Sequence, residues 1–181
     1  MEAVPGAKIA GALDAGMRLA FKGAPAMDQV GTALHKLITA EIINPSHKDA
    51  QLTAKQVLES HGVAENIDSN AAVTYVQHFI KYINEAFKPN RIFTEYPLTH
   101  VLDNGQVIKG WIDVLIETGD GWVIVDHKFT AQPESKLENE ALKYSGQIMA
   151  YKQAVEAATS KEVTSCWINF PLAGILFELN I

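Results

Sequence analysis

The stretch that decides the fold covers residues 110–128 and reads GWIDVLIETGDGWVIVDHK. Its two halves are rich in β-branched and aromatic residues, and Gly119-Asp120 between them is typical of a two-residue, type II′ hairpin loop. In the register that this loop imposes, Asp113 lies directly opposite Asp126. Directly opposed side chains of two antiparallel strands have Cβ atoms about 4.5–5.5 Å apart. The sequence therefore predicts two carboxylates that face each other across one hairpin.

The apolar neighbours of these carboxylates favour a chemical role for them. Two aspartates in a poorly hydrated strand pair repel each other unless they share a proton or bind a cation. Lys128 follows Asp126 by two residues, so its side chain lies on the same face of the strand. Carboxylate oxygens suit a hard cation such as Mg²⁺, and such a metal beside a lysine can promote phosphodiester hydrolysis. The alternative is a pair of hydrated strand-end aspartates, one of them paired with Lys128.

The remaining patterns predict an α/β fold with a central mixed sheet flanked by helices. Helices are expected over 8–22, 28–43, 53–60, 69–87 (with Ser69 as the N-cap) and 137–158, and strands over 92–102, 106–117, 122–128, 163–170 and 174–180. The first three strands form an antiparallel meander. We expect a single domain over 1–181, mainly helical over 1–90, with the catalytic sheet and helix over 91–181.

Composition narrows the class of protein. The chain has 15 Lys and Arg against 21 Asp and Glu, a net charge of −6, which argues against a broad basic surface for nucleic acid. Its one cysteine, Cys166, excludes an internal disulfide and a four-cysteine iron–sulfur site. There is no GxxxxGK[ST] motif for a nucleotide and no membrane-length apolar run, and we expect no signal peptide. We expect a cytoplasmic protein.

Five motifs in order resemble the PD-(D/E)XK nuclease superfamily, specifically the nuclease domain of RecB/AddA-type helicase–nucleases. They are Gly31-Thr-Ala-Leu-His35-Lys-Leu, Glu95-Tyr-Pro, Gly110-Trp-Ile-Asp113, Val125-Asp126-His127-Lys128 and Gln147-Ile-Met-Ala-Tyr151. Together they span 31–151, most of the chain. The resemblance implies a restriction-endonuclease-like core, which agrees with the predicted sheet.

The resemblance also implies roles for the motif residues. Asp113 and Asp126 would bind the divalent metal together with the carbonyl of His127, and Lys128 would be the catalytic lysine. His35 is implied as an additional metal ligand, and Gly31, four residues earlier on the helix, would leave room beside its imidazole. The alternative for His35 is a half-buried helix histidine without a ligand.

The position of Glu95 depends on the loop at 103–105. If only the last two of these residues form the loop, Glu95 faces Val114, whereas a three-residue loop ending in glycine makes it face Asp113 and join the site. We favour the three-residue loop because glycine stands third and because the resemblance places Glu95 in the site. The alternative is a hydrated glutamate on an edge strand.

Gln147 and Tyr151 lie one helical turn apart and share a face of their helix. The resemblance implies that they orient the site or contact the nucleic-acid backbone. The alternative is that Tyr151 only packs against neighbouring elements and that Gln147 faces solvent.

The implied function is a Mg²⁺-dependent deoxyribonuclease, exonucleolytic, with Mn²⁺ as a possible substitute and no iron–sulfur cluster or nucleotide cofactor. It would serve DNA double-strand-break repair and recombination at the nucleoid, as a domain of an ATP-dependent helicase–nuclease, and its partners would be DNA and a helicase domain or subunit. The alternatives are an inactive nuclease-fold module that binds DNA or acts as a scaffold, and a hydrolase of another phosphodiester. Because of the acidic charge, we expect the isolated chain to bind DNA weakly and in a salt-sensitive way.

Overall fold

The computed structural model describes residues 3–14, 16–102 and 104–181, whose strands form one six-stranded sheet flanked by helices. The strands are β1 (Lys8–Asp14), β2 (Arg91–Val101), β3 (Val107–Glu117), β4 (Trp122–His127), β5 (Val163–Phe170) and β6 (Ile175–Asn180). The helices are α1 (Met27–Ile43), α2 (Ala50–Ser60), α3 (Ser69–Phe87), α4 (Glu134–Leu142) and α5 (Ser145–Thr159). None of these helices is long and apolar enough to cross a membrane.

The sheet is mixed, with the strand order β1-β6-β5-β4-β3-β2. All neighbouring strands are antiparallel except β4 and β5, which are parallel because α4 and α5 form the crossover between them. The predicted α/β fold, the mixed sheet and the β2–β3–β4 meander are therefore confirmed.

Two helical layers cover the two faces of the sheet. The layer of α1, α2 and α3 buries one set of alternate side chains, among them Val114, Ile116, Val123 and Val125. The layer of α4 and α5 buries the other set, among them Leu115, Trp122 and Ile124. β3 and β4 are thus apolar on both faces where they pair, as expected of central strands.

The predicted helix over 8–22 is wrong. Residues Lys8–Asp14 form β1, which pairs with β6, and 17–22 have no regular structure. Alanine favours a helix locally, but Gly11 weakens one, and pairing with β1 satisfies the backbone groups along the outer edge of β6. Tertiary pairing therefore overrides local propensity here.

The other helices of the N-terminal half are confirmed as α1, α2 and α3. The N-cap of α3 differs from the prediction by one residue, because the Asp68 side chain accepts a hydrogen bond of 2.9 Å from the Ala71 N–H. Asp68, rather than Ser69, therefore satisfies a free amide of the first turn.

The single helix predicted over 137–158 is two helices. α4 ends at Leu142 and α5 begins at Ser145, whose hydroxyl donates a hydrogen bond of 2.6 Å to the Leu142 carbonyl. A buried serine that bonds to backbone in this way competes with the helical hydrogen-bond ladder. The break turns the ring of Tyr144 towards the end of β4.

The register of the β3–β4 hairpin is the predicted one. Val114 pairs with Val125 and Glu117 with Trp122, so Asp113 and Asp126 follow directly at opposed positions. The type II′ turn is wrong, since the positive φ of 148° belongs to Gly121 and not to Gly119.

The β2–β3 register agrees with the three-residue loop, since Thr94 pairs with Val114 and Tyr96 with Ile112. Asp103, the first residue of that loop, lies outside the described residues. Glu95 falls opposite Asp113, as this register requires.

A kink at Glu95 interrupts both strands at this point. Glu95 has a left-handed φ of 46°, and the strand pairing skips Glu95 and Asp113. Beyond the kink the alternation of faces is shifted by one residue. Phe93 and Tyr96, three residues apart, therefore have rings in contact at 5.6 Å between centroids. The kink removes Asp113 from the regular pleat and frees its side chain for other contacts.

The tight packing of Gly121 against β5 leads to a stability prediction. A Cβ atom there would collide with the Glu162 carbonyl oxygen, whereas a Cβ at Gly119 would meet nothing within 4 Å. We expect Gly121→Ala to lower the free energy of unfolding by roughly 2 kcal/mol or more, and Gly119→Ala to change it by less than about 0.5 kcal/mol. Urea denaturation of both variants checks this. Equal effects of the two substitutions would contradict the close approach at Gly121.

Candidate active site

Two carboxylates meet where β4 ends. Asp126 is 2% exposed, and Asp113 reaches it from the kinked part of β3. Asp113 Oδ2 accepts a hydrogen bond of 2.7 Å from the backbone N–H of His127. The backbone of one strand therefore holds the carboxylate of the other beside Asp126.

Lys128 completes this group from the residue after β4. Its Nζ lies 2.8 Å from Asp126 Oδ2, and its backbone N–H donates to the Asn169 carbonyl at 2.8 Å. The second contact extends the pairing with β5 by one residue and fixes the direction of the lysine side chain.

The ring of Tyr144 supports the same ammonium group. Lys128 Nζ lies 4.2 Å from the ring centroid, a cation–π contact. We did not identify Tyr144 from the sequence. The available signal was an aromatic residue one helical turn before Gln147, and its use required knowing that the helix breaks there.

Burial controls the charge state of these groups. Burial, with a further contribution from Asp113, raises the pKa of Asp126 to about 7, although Lys128 opposes the rise. Burial also raises the pKa of Asp113 to about 6, against the hydrogen bond from His127. Burial disfavours the charge of Lys128 too, but the hydrogen bond and charge of Asp126 together with Asp113 and Tyr144 outweigh it, so the pKa of the lysine is raised. The lysine is therefore an ammonium at neutral pH, and the carboxyl pair binds either a proton or another cation.

His35 approaches the pair from α1, with its Nδ1 3.5 Å from Asp113 Oδ1. Burial lowers the pKa of His35, which favours the neutral imidazole that metal ligation requires. A Cβ atom at Gly31 would lie 2.9 Å from the Phe129 ring, so glycine at this position makes room for Phe129, whose ring centroid is 5.9 Å from that of His35.

The side chain of His127 packs between α3 and β5, with its ring centroid 5.4 Å from that of His35. Its Nδ1 lies 2.9 Å from Asn169 Nδ2, its ring contacts Phe79, and its Nε2 is buried without a hydrogen-bond partner in the described part of the chain. A ligand role for His127 through its backbone carbonyl is therefore compatible with the structure, because the side chain is held elsewhere.

The donor set fits a hard divalent cation. Asp126 Oδ2 is buried and lies 2.8 Å from the Lys128 ammonium. The oxygen donors of the two carboxylates suit Mg²⁺ or Mn²⁺. Within 3–14, 16–102 and 104–181, no three His, Cys, Asp or Glu side chains already stand in ligating geometry. Metal binding would thus need small side-chain movements or a backbone carbonyl.

Glu95 lines a cleft of about 320 Å³ together with His35, His127 and Phe129. The cleft borders the carboxylate pair through His35, whose Nδ1 lies 3.5 Å from Asp113 Oδ1. The charge of Glu95 contributes to the raised pKa of Asp113, so the two carboxylates interact although Glu95 itself is exposed.

Gln147 and Tyr151 bond to each other, with Gln147 Nε2 donating to the Tyr151 hydroxyl at 2.7 Å. Tyr151 is buried, and a Cβ atom added to Gly110 would lie 2.6 Å from that hydroxyl. The pair therefore packs beneath β3, three residues from Asp113, and supports the strand that carries the carboxylate.

Comparison with known families accounts for this arrangement. Residues 12–179 match the PD-(D/E)XK nuclease superfamily. The chain belongs to this superfamily. The resemblance seen in the sequence is thereby confirmed, and the six-stranded mixed sheet with its flanking helices is consistent with the PD-(D/E)XK nuclease fold.

The relatives found for this PD-(D/E)XK chain each carry the name of an ATP-dependent helicase/nuclease subunit. The one from Listeria innocua serovar 6a is 24% identical over 178 residues, covering 84% of this chain and 14% of the relative. The one from Lacticaseibacillus casei is 27% identical over 170 residues, covering 83% and 14%. A shorter match, to Pelotomaculum thermopropionicum, is 35% identical over 57 residues, covering 32% and 4%. The chain thus spans a small part of the length of these relatives.

The raised pKa values predict how stability depends on pH when metal is removed. Both carboxyls bind their protons more tightly in the folded protein than at the ordinary aspartate value near 3.8. Between about pH 4 and pH 7 the folded state therefore retains protons that the unfolded chain has released, so the free energy of unfolding falls as pH rises. We expect Asp126→Asn to reduce this fall and to be more stable than the wild type at pH 8.

Urea denaturation in EDTA at pH 4.5 and pH 8 measures the effect. Asp120→Asn, which changes an exposed aspartate in the turn of the same hairpin, is the matched control and should retain the full pH dependence. A wild-type protein that becomes more stable relative to Asp126→Asn as the pH rises would contradict the assigned pKa direction.

Proposed function

We propose that this chain is a divalent-metal-dependent deoxyribonuclease. The observation that carries the proposal is the meeting of Asp113, Asp126 and Lys128 at the end of β4 in a chain of the PD-(D/E)XK nuclease superfamily. Two carboxylates that can hold a divalent cation, beside a fixed ammonium, suit the hydrolysis of a phosphodiester.

Asp113, Asp126 and the His127 carbonyl would hold Mg²⁺ or Mn²⁺, with His35 as an additional nitrogen ligand. When bound, such a metal lowers the pKa of a coordinated water and neutralises charge on a phosphoryl oxygen. Asp113 is held for this by the His127 N–H, and Asp126 by its burial between the helical layers.

Lys128 supplies the second positive charge. As an ammonium it donates hydrogen bonds to the attacking water or to a phosphoryl oxygen, and it stabilises the negative charge that develops there. Tyr144 acts as a positioning residue, because its ring holds the ammonium from the side of α5. Glu95 would orient groups at the mouth of the cleft, and the Gln147–Tyr151 pair would keep β3 in place beneath Asp113.

The wider role is proposed from the names of the relatives. We propose that 1–181 form one nuclease domain that works with a helicase domain or subunit, cuts exonucleolytically, and serves DNA break repair and recombination at the nucleoid. The net charge of −6 supports this dependence, since a strand delivered by a helicase does not need a broad basic surface on the nuclease.

The test of the proposed function is a cleavage assay with end-labelled and circular DNA in Mg²⁺, Mn²⁺ or EDTA. We expect cleavage only with metal, and a loss of at least about 100-fold in Asp126→Asn, because the ligand and its negative charge are removed. Asp120→Asn should cleave like the wild type.

Cleavage that survives Asp126→Asn would exclude the proposed site. Metal-dependent cleavage of circular DNA as fast as of linear DNA would exclude the exonucleolytic mode and leave the nuclease assignment intact.

The cation–π contact of Tyr144 leads to a separate prediction. Removing the ring with Tyr144→Leu should lower kcat about 2- to 30-fold, which is the cation–π energy converted into rate, and should leave KM nearly unchanged. Tyr144→Phe keeps the ring and should retain kcat within about 2-fold. Steady-state kinetics of both variants decides the matter. If Tyr144→Phe loses as much as Tyr144→Leu, the hydroxyl and not the ring is what matters.

A further inference from the structure

The β2–β3 hairpin extends past the rest of the sheet as a two-stranded arm. β3 pairs with β4 only over Val114–Glu117, so its first half pairs with β2 alone. We call residues 96–112 of this hairpin the arm. It begins at the kink that carries Glu95 and Asp113.

α5 covers one face of the arm. Gly110 lies against the Tyr151 hydroxyl, and Ile112 is fully buried among residues of α5. Because side chains alternate along a strand, Lys109 and Trp111 point to the opposite face. That open face carries Trp111, which is 63% exposed, with Val107 and Val101 exposed further along it.

The open face starts beside the candidate active site. Trp111 precedes Asp113 by two residues, about 6–7 Å along a strand. It pairs with Pro97, two residues after Glu95, which lines the cleft. A strand that reached the carboxylates through the cleft would therefore pass over Trp111.

The chemistry of the open face suits unpaired bases. An exposed aromatic ring can stack on any base, and a nearby lysine can contact the phosphate backbone. Lys109 is two residues from Trp111 on the same face, and Asp103 is the one acidic residue in the sequence of the arm, in a chain of net charge −6. A protein partner seated on Trp111 would instead cover the approach to Asp113.

We propose that Trp111 stacks on an unpaired base of single-stranded DNA that enters the cleft, with Lys109 contacting the backbone of that strand. This inference rests on the proposed nuclease function and names the form of its substrate. In a duplex the faces of the bases are stacked on each other, so the same indole would gain little from double-stranded DNA.

Intrinsic fluorescence tests the contact directly. Trp122 and Trp167 are 6% and 7% exposed, so Trp111 is the one tryptophan of the chain that meets solvent. In EDTA, a single-stranded thymidine oligonucleotide should quench the emission of the full chain. Trp111→Phe should remove that quenching while it retains much of the binding, because phenylalanine also stacks.

Affinity measurements with a labelled oligonucleotide give the magnitude. Trp111→Leu keeps an apolar side chain without a stacking ring and should bind the single strand at least about 5-fold more weakly, with duplex affinity unchanged. Leu52→Ala, which changes an exposed apolar side chain on α2, is the matched control and should bind like the wild type. Circular dichroism and urea denaturation establish that each variant is folded.

The inference is overturned if the wild type shows no quenching or no measurable binding of the oligonucleotide. It is also overturned if Trp111→Leu binds the single strand as tightly as the wild type does, or loses as much affinity for duplex as for single strand.

The nuclease proposal is tested separately. If Asp126→Asn retains the quenching and the wild type never cleaves, the binding inference stands and the proposed activity falls. If the wild type cleaves DNA and substitution of Trp111 leaves single-strand binding unchanged, the nuclease proposal stands and the binding inference falls.

Discussion

The structure depends on two carboxylates placed opposite each other in a part of the sheet where water is scarce. Asp113 and Asp126 are brought together by strand pairing, and the hydrogen bond from the His127 N–H keeps one of them from turning away. Burial makes a free negative charge on both groups unfavourable, as their raised pKa values show. The side chains next to the pair are cationic or neutral: the Lys128 ammonium contacts Asp126, and the neutral imidazole of His35 contacts Asp113.

Several irregular features of the backbone serve this pair. The left-handed Glu95 costs roughly 1–3 kcal/mol of strain, and such strain persists where the surrounding structure requires it. Its kink takes Asp113 out of the regular pleat. The break between α4 and α5 likewise interrupts a helix that could have been continuous, and it places Tyr144 against the Lys128 ammonium. The kink in β2 and the break between α4 and α5 therefore both lie next to the group formed by Asp113, Asp126 and Lys128.

Charge is divided between the site and the arm. The chain is acidic overall, yet the sequence of the arm beside the carboxylates contains one acidic residue, Asp103, and the arm presents one exposed tryptophan on its open face. The carboxylates of the site can hold a cation, and the neighbouring surface is suited to bases and not to a broad electrostatic grip. An acidic nuclease domain can have both features if a helicase delivers the DNA strand to it.

The sequence by itself determined the facing carboxylates, because a two-residue loop has one register and side chains alternate with period 2. It also determined the fold class, the helices α1 to α3, and the position of Lys128 on the same face as Asp126. It did not reveal β1, the break at Tyr144 or the kink at Glu95. β1 depends on its pairing with β6, and the contacts that Tyr144 and Glu95 make are with Lys128 and Asp113, which are distant in the chain. Local propensity cannot report such partners, so the tertiary structure alone decided which side chains surround the pair and which face of the arm stays open.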